Sequence, residues 1–259
     1  MTLKPVQLLA TALLAARRAG EHVMANLARR DEALRLDRLD VKHALDFEAQ
    51  AAAFAVIESA WPGDAILGEE TADVPLADTP VRWVVDPIDG TVNFFHGLPW
   101  WCCCVAAQTG GKTVAGAVYA PEMGMCFEAS TETPALCNGK PLRVSKTAET
   151  RLASIHTGSG KSYPGENPLR FLECVVEMAQ RPRIMGAAAL DICSVAAGKA
   201  DAYFEPGIYL WDIAAAGIVL ERAGGKLEIL KDHGAWRVAA LATNGALHAA
   251  CRDALLPLL

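Results

Sequence analysis

The sequence contains no Cys-x-x-Cys pair, although it has eight cysteines and three of them stand together as Cys102, Cys103 and Cys104. Without paired spacing there is neither a disulfide framework nor a zinc site, and adjacent cysteines in an apolar run read as small hydrophobic side chains. That usage fits a reducing compartment, so a cytoplasmic location is expected. No apolar run approaches the ~20 residues of a membrane span, so no membrane partner is expected. Val6 to Ala16 is apolar behind Lys4, in the manner of a signal peptide. Val6, Leu9, Ala10, Leu13 and Leu14 nevertheless recur at helical spacing with Gln7, Thr11 and Arg18 opposite, which predicts an amphipathic helix. Excess positive charge is lacking too. The net charge of −6 argues against nucleic acid as a partner. It leaves an anionic substrate open, because bound cations reverse the local field. A complete phosphate-binding loop is also missing. The run Gly158-Ser159-Gly160-Lys161-Ser162 has Ile155, and Gly110-Gly111-Lys112-Thr113 has Ala106, where that motif requires glycine. No repeat or low-complexity linker divides the chain.

What is present is the composition of a folded globular protein, with 52% hydrophobic and 21% charged residues in a chain of 259. Periodicity predicts helices over residues 2–30, 44–60, 168–180 and 187–197, and another from Trp211-Asp212 to Gly224-Gly225. A charged connector, 31–40, follows the first. Strands are predicted at 65–67, 81–85, 102–107, 113–119, 124–129, 152–156, 183–184 and 202–205, with a hairpin turn at Asn138-Gly139. The expectation is an α/β (α+β) chain in two tightly joined halves, about 1–145 and 146–259.

The chain is organised around Val81 to Trp101. A buried strand delivers Asp86 and Asp89 around Pro87, which fixes φ and carries no amide proton. Gly90 lets a ligand approach the main chain, Thr91 suits a helix N-cap, and their amides suit an anion such as phosphate. Two close carboxylates force a proton onto one of them unless a cation intervenes. Oxygen-only donors suit magnesium, manganese or calcium, and magnesium commonly works with substrate phosphates. The same residues also read as a turn in which the aspartates cap local backbone. Gly68-Glu69-Glu70 leaves another short strand, either as solvated loop charge or as a further carboxylate for the site. Glu205-Pro206-Gly207 through Trp211-Asp212 repeats the design, with Asp212 as N-cap or as ligand. His96 and His156 read as packing or loop residues.

Gly68-Glu69-Glu70, Asp86-Pro87-Ile88-Asp89-Gly90-Thr91 and Trp211-Asp212-Ile213-Ala214-Ala215-Ala216-Gly217 resemble, in order and spacing, the three signatures of the inositol monophosphatase family. Asn93 to Pro99 extends the second, and Arg183 to Asp201 is similar to the bacterial form of the C-terminal half. The resemblance implies a layered αβαβα sandwich of the sugar-phosphatase type and magnesium-dependent hydrolysis of a small phosphate monoester. Inositol 1-phosphate comes first; fructose 1,6-bisphosphate, histidinol phosphate and 3′-phosphoadenosine 5′-phosphate remain open. It implies about two or three magnesium ions held by Glu69, Asp86, the Ile88 carbonyl, Asp89 and Asp212, with Glu70 acting through water. Glu69, Asp46 and Thr91 are then catalytic, Gly90 and Thr91 hold phosphate, and Ala188, Glu205 and Asp212 line the alcohol side. Lithium sensitivity and a homodimer are further implications. Lys42 and His43 depart from the family's usual valine-threonine ahead of Asp46, and the segment Glu128 to Cys137 lacks its glycine-rich turn. An aspartyl-phosphate mechanism through a DxDGT motif meets proline at position 87 where aspartate is required. A non-catalytic regulatory protein on the same fold is the reading from another class.

Overall fold

The computed structural model describes residues 4–37, 41–73, 77–158 and 169–259. Helix α1, Pro5–Ala25, starts with proline at its first position, where no amide is needed. It buries Leu8, Leu9, Ala12, Ala15, Ala16, Ala19 and Val23, while Val6 and Leu14 are 46% and 48% exposed. The inward face is thus turned by about one residue from the one the larger side chains predict. Alanine lets the helix lie close to the sheet, and a Cβ on Gly20 would come 2.6 Å from the Tyr119 ring. The first charged stretch after α1 is not all connector. Strands β1 (Ala33–Leu36) and β2 (Val41–His43) pair antiparallel there and lead into α2, Ala44–Ala60.

The next strands are β3 (Ala65–Gly68) and β4 (Val81–Asp89), followed by the short helix α3 (Thr91–Phe95). Then come β5 (Cys102–Thr109), β6 (Lys112–Ala120), β7 (Met125–Ser130), β8 (Thr133–Cys137) and β9 (Lys140–Pro141). These strands, without the helix, form a seven-stranded sheet in the order β3 to β9, in which only β3 and β4 pair in parallel. The Asn138-Gly139 turn has φ of 48° and 75°, the left-handed backbone that a tight hairpin requires.

The C-terminal part continues with β10 (Ser154–Thr157), α4 (Leu169–Met178), β11 (Arg181–Arg183), α5 (Ala188–Ala196) and β12 (Ala202–Tyr209). It ends with α6 (Leu210–Arg222), β13 (Lys226–Gly234), β14 (Arg237–Thr243) and α7 (His248–Leu255). Its strands form a five-stranded sheet, β11-β10-β12-β14-β13. The sequence reads as a loop from Thr157 to Asn167; Thr157 instead ends β10, and the segment beyond Gly158 lies outside the described residues.

Side-chain alternation along the strands builds the layers. In β4 and β5, Trp83, Val85, Cys103 and Val105 face α1 and α2 in one hydrophobic cluster. Val84, Cys102, Cys104 and Ala106 face α5 and α6 in another, which also takes Tyr203, Ala240 and Ala242 from the second sheet. A third cluster packs Ile155, Phe204 and Leu241 against Phe171 of α4 and Cys251 of α7. The order of layers is helix, sheet, helix, sheet, helix, as the αβαβα expectation has it.

Candidate active site

Strand β4 runs through the acidic motif rather than stopping before it. Asp86 pairs with Cys104 and Asp89 with Cys102 in the register with β5, and a bulge separates the two pairs. The bulge holds Pro87, which could not serve a regular ladder. Strand β12 repeats the device, with a bulge between Glu205 and Ile208 across Pro206. Both acids predicted at strand ends therefore lie within strands, re-aimed by irregular backbone. Parallel pairing sets Gly68 against Val85, so Glu69 emerges beside Asp86.

Two further acids come from helix starts. Asp212 is the third residue of α6 rather than its N-cap, and its Oδ2 accepts the Tyr209 amide at 2.9 Å. Asp46 takes the same place in α2, accepting the His43 amide at 3.0 Å. Thr91 also differs from its predicted capping role. Gly90 is the N-cap of α3, with φ of 91°, and the Thr91 hydroxyl donates to the Ile88 carbonyl at 3.0 Å. A side chain at Gly90 would meet the Trp100 carbonyl oxygen at 2.9 Å.

One carboxylate oxygen each from Glu69, Asp86 and Asp212 lies within 4.8 Å of the others. Asp89 is held differently: its two oxygens accept the amides of Ala188 at 3.1 Å and Ala189 at 2.8 Å, at the start of α5. Burial pushes the Asp86 carboxyl well above the usual range, and Glu69, Asp212 and Asp89 push it further. Asp89 is raised by burial and then by Asp212, against the Ala189 amide. Asp46 is raised by burial, then by Glu69 and Glu70.

Both Asp86 oxygens are buried with no hydrogen-bond partner among the described residues. Buried carboxylates are rarely left so, because nothing replaces the lost water. A hard divalent cation satisfies them and removes the mutual repulsion, so the residues fit magnesium. Asp89 also lies close to the thiols of Cys102 and Cys104. Burial raises both thiols.

These acids floor a cleft of about 190 Å³. Glu69, Asp86, Ile88, Asp89, Gly90, Thr91, Ala188, Glu205 and Asp212 all line it. Asp46 and Glu70 stand back from the lining, and the Glu70 carboxylate is 2.6 Å from the Lys42 ammonium. The cleft is lined also by Asp191, Tyr203 and Thr157, which the sequence reasoning missed. Asp191 was visible as a lone acid inside the apolar run Ala187 to Ala197. Its Oδ1 is 2.8 Å from His156 Nδ1, and Tyr203 donates to Glu205 at 3.3 Å. Gly158 leaves the space that Glu205 fills, since a Cβ there would lie 1.6 Å from Oε2.

Comparison with known proteins agrees with this geometry. Residues 4–255 match the inositol monophosphatase family. The chain is 35% identical over 218 residues to the Nus factor SuhB of Haemophilus influenzae, covering 83% of this chain and 82% of that protein. It is 33% identical over 221 residues to human inositol monophosphatase 1, covering 82% and 79%. The structure of inositol monophosphatase from Anabaena superimposes with a TM-score of 0.84 at 30% identity, over 96% of this chain and 95% of that one. With the three motifs converging on one cleft and the family match spanning almost its whole length, the chain belongs to the inositol monophosphatase family and is a magnesium-dependent phosphomonoesterase.

Proposed function

We propose that the preferred substrate is the phosphate monoester of a small polyol, with inositol 1-phosphate first. The observation that carries this reading is the pairing of an unsatisfied carboxylate floor at Asp86 with a wall of hydroxyl acceptors, Asp191 and Glu205, across one small cleft. Carboxylates on that wall accept hydrogen bonds from a polyol and repel a second phosphate. This favours a monophosphate over fructose 1,6-bisphosphate. The names of the human and Anabaena relatives support the same choice.

Glu69, Asp86, Asp89, Asp212 and the Ile88 carbonyl would hold the magnesium. Bound magnesium neutralises phosphate, acidifies water and stabilises a leaving alkoxide. The chain itself supplies position. Gly90 and Thr91 orient the phosphate at the cleft floor, and the Thr91 hydroxyl fixes the Ile88 carbonyl. Glu69 takes the proton of the attacking water, with Asp46 behind it. The His156 ring, bonded to Asp191, orients the acceptor wall and serves no base role. A homodimer and lithium sensitivity accompany this reading on the family resemblance alone, and a cytoplasmic location on the cysteine usage. Among the described residues no helix is long and apolar enough to cross a membrane.

Phosphate release with and without magnesium, over inositol 1-phosphate, fructose 1,6-bisphosphate, histidinol phosphate and 3′-phosphoadenosine 5′-phosphate, tests the reading. The expected result is magnesium-dependent release with the highest kcat/KM for inositol 1-phosphate. A higher value for either bisphosphate compound would overturn the polyol assignment. The name of the Haemophilus relative favours a second reading, a regulatory role through a macromolecular partner. Bound magnesium with no release from any substrate would support it.

A further inference from the structure

Lys42 lies where the chain departs from its family, and its ammonium points into the acidic group. Nζ is 2.6 Å from Glu70 Oε1 and 3.9 Å from Glu69 Oε1. The Glu70 side chain is only 3% exposed, so its partner is a structural matter and not a surface accident. Its backbone is fixed as well, because the Glu70 amide donates to Gln50 Oε1 at 3.0 Å. Lys42 itself sits on β2, whose pairing with β1 and direct passage into α2 fix where the side chain begins. Asp46, on the first turn of α2, feels the charges of Glu69, Glu70 and Lys42 together.

The acids therefore divide. Glu69, Asp86 and Asp212 converge on one side, with the Asp86 oxygens unsatisfied. On the other side Asp46 and Glu70 face a cation that belongs to the chain. A divalent ion placed against Glu70 would have to displace the ammonium or tolerate it at about 4 Å, where like charges repel strongly in a partly buried site.

We propose that the Lys42 ammonium is a resident cation on the Asp46–Glu70 side, excluding a divalent ion there and confining magnesium to the Glu69–Asp86–Asp89–Asp212 side. Glu70 is then the partner of Lys42 and not a water-mediated metal ligand. The inference rests on the magnesium-dependent reading of the site, but it makes a separate claim about how many ions bind.

The test counts bound Mn2+ by electron paramagnetic resonance and Mg2+ by calorimetry, using the full chain without substrate. Lys42→Val is expected to bind one more ion per chain than the wild type, and Lys42→Arg the same number as the wild type. Lys42→Val combined with Glu70→Gln is expected to lose the added ion. Thermal melting of each variant ensures that folded protein is counted. Equal counts for wild type and Lys42→Val would overturn the proposal while leaving the phosphatase reading intact. An extra ion in Lys42→Arg, or one surviving in the double variant, would also overturn it. No bound ion in any folded form would instead bring down the metal-dependent reading itself, and the inference with it.

Discussion

Asp86 and Asp89 belong to one motif yet meet opposite surroundings. Asp86 has no hydrogen-bond partner among the described residues, whereas Asp89 accepts amides on both oxygens. Replacing either by asparagine removes a carboxylate charge from the proposed magnesium site, and turnover is expected to fall on the order of 10³-fold or more. Their effects on the metal-free fold should differ. Asp86→Asn replaces a buried carboxyl that has no hydrogen-bond partner among the described residues, removes its repulsion with Glu69 and Asp212, and is expected to leave stability unchanged or raised. Asp89→Asn turns an amide group toward the amides of α5 and should cost about 1–3 kcal/mol. Magnesium should raise the Tm of the wild type, because it binds only the folded chain, and should do so far less for Asp86→Asn. Thermal melts in chelator and in magnesium measure both effects. A full magnesium-induced rise in Asp86→Asn would remove that carboxylate from the metal site.

Among the helices, the start of α2 shows how a departure from the family sequence is absorbed. His43 Nδ1 accepts the Leu45 amide at 3.0 Å, and so carries no proton, while Nε2 donates to the Arg30 carbonyl at 2.9 Å. The ring thus caps the helix itself, and it meets Phe94 edge-on at 5.3 Å. His43→Thr and His43→Ala both lose the Arg30 and Phe94 contacts, but only alanine also loses a capping side chain. Alanine is therefore expected to be about 1 kcal/mol less stable than threonine, read from urea unfolding midpoints. Equal midpoints would mean that the cap contributes nothing. The same comparison shows what was legible in the sequence. The acids Glu69, Asp86, Asp89 and Asp212 could be singled out because each stands in a short polar motif beside an apolar run. The bulges at Pro87 and Pro206 could not, since a register shift depends on the neighbouring strand; only the repeated acid-proline pair marked them. Strands β13 and β14 gave no local signal. The first is a largely exposed, charged edge, and the second is a buried run rich in alanine, which has little strand preference. Alanine also misled the phase of α1, where close packing rather than hydropathy selects the inward face.

Across the whole molecule, the site draws one group from each of three layers. Asp86 comes from the seven-stranded sheet, with Glu69 directly after its strand β3, Glu205 from the five-stranded sheet, and Asp212 from the helical layer between them. Its geometry therefore depends on how closely α6 rests on the larger sheet. Gly116 in β6 sets that distance, because a Cβ there would come 2.7 Å from the Ala215 carbonyl oxygen and 2.9 Å from the Ala215 Cα. Those atoms are backbone, so the helix rather than a side chain has to move. Asp212 lies about one turn before Ala215 and should move with it. Gly116→Ala is expected to cost about 1–3 kcal/mol through overpacking. It should also weaken magnesium binding, although the substitution touches no ligand. Leu255→Ala in α7 provides the control: it opens a cavity in the third cluster, away from the site, at a cost of about 2–5 kcal/mol. Denaturant unfolding gives the stability of each variant, and calorimetric titration gives its magnesium affinity. If packing under α6 sets the ligand geometry, affinity falls in Gly116→Ala and holds in Leu255→Ala. If both lose affinity in proportion to stability, the effect is general loosening and the helical layer has no special hold on the site.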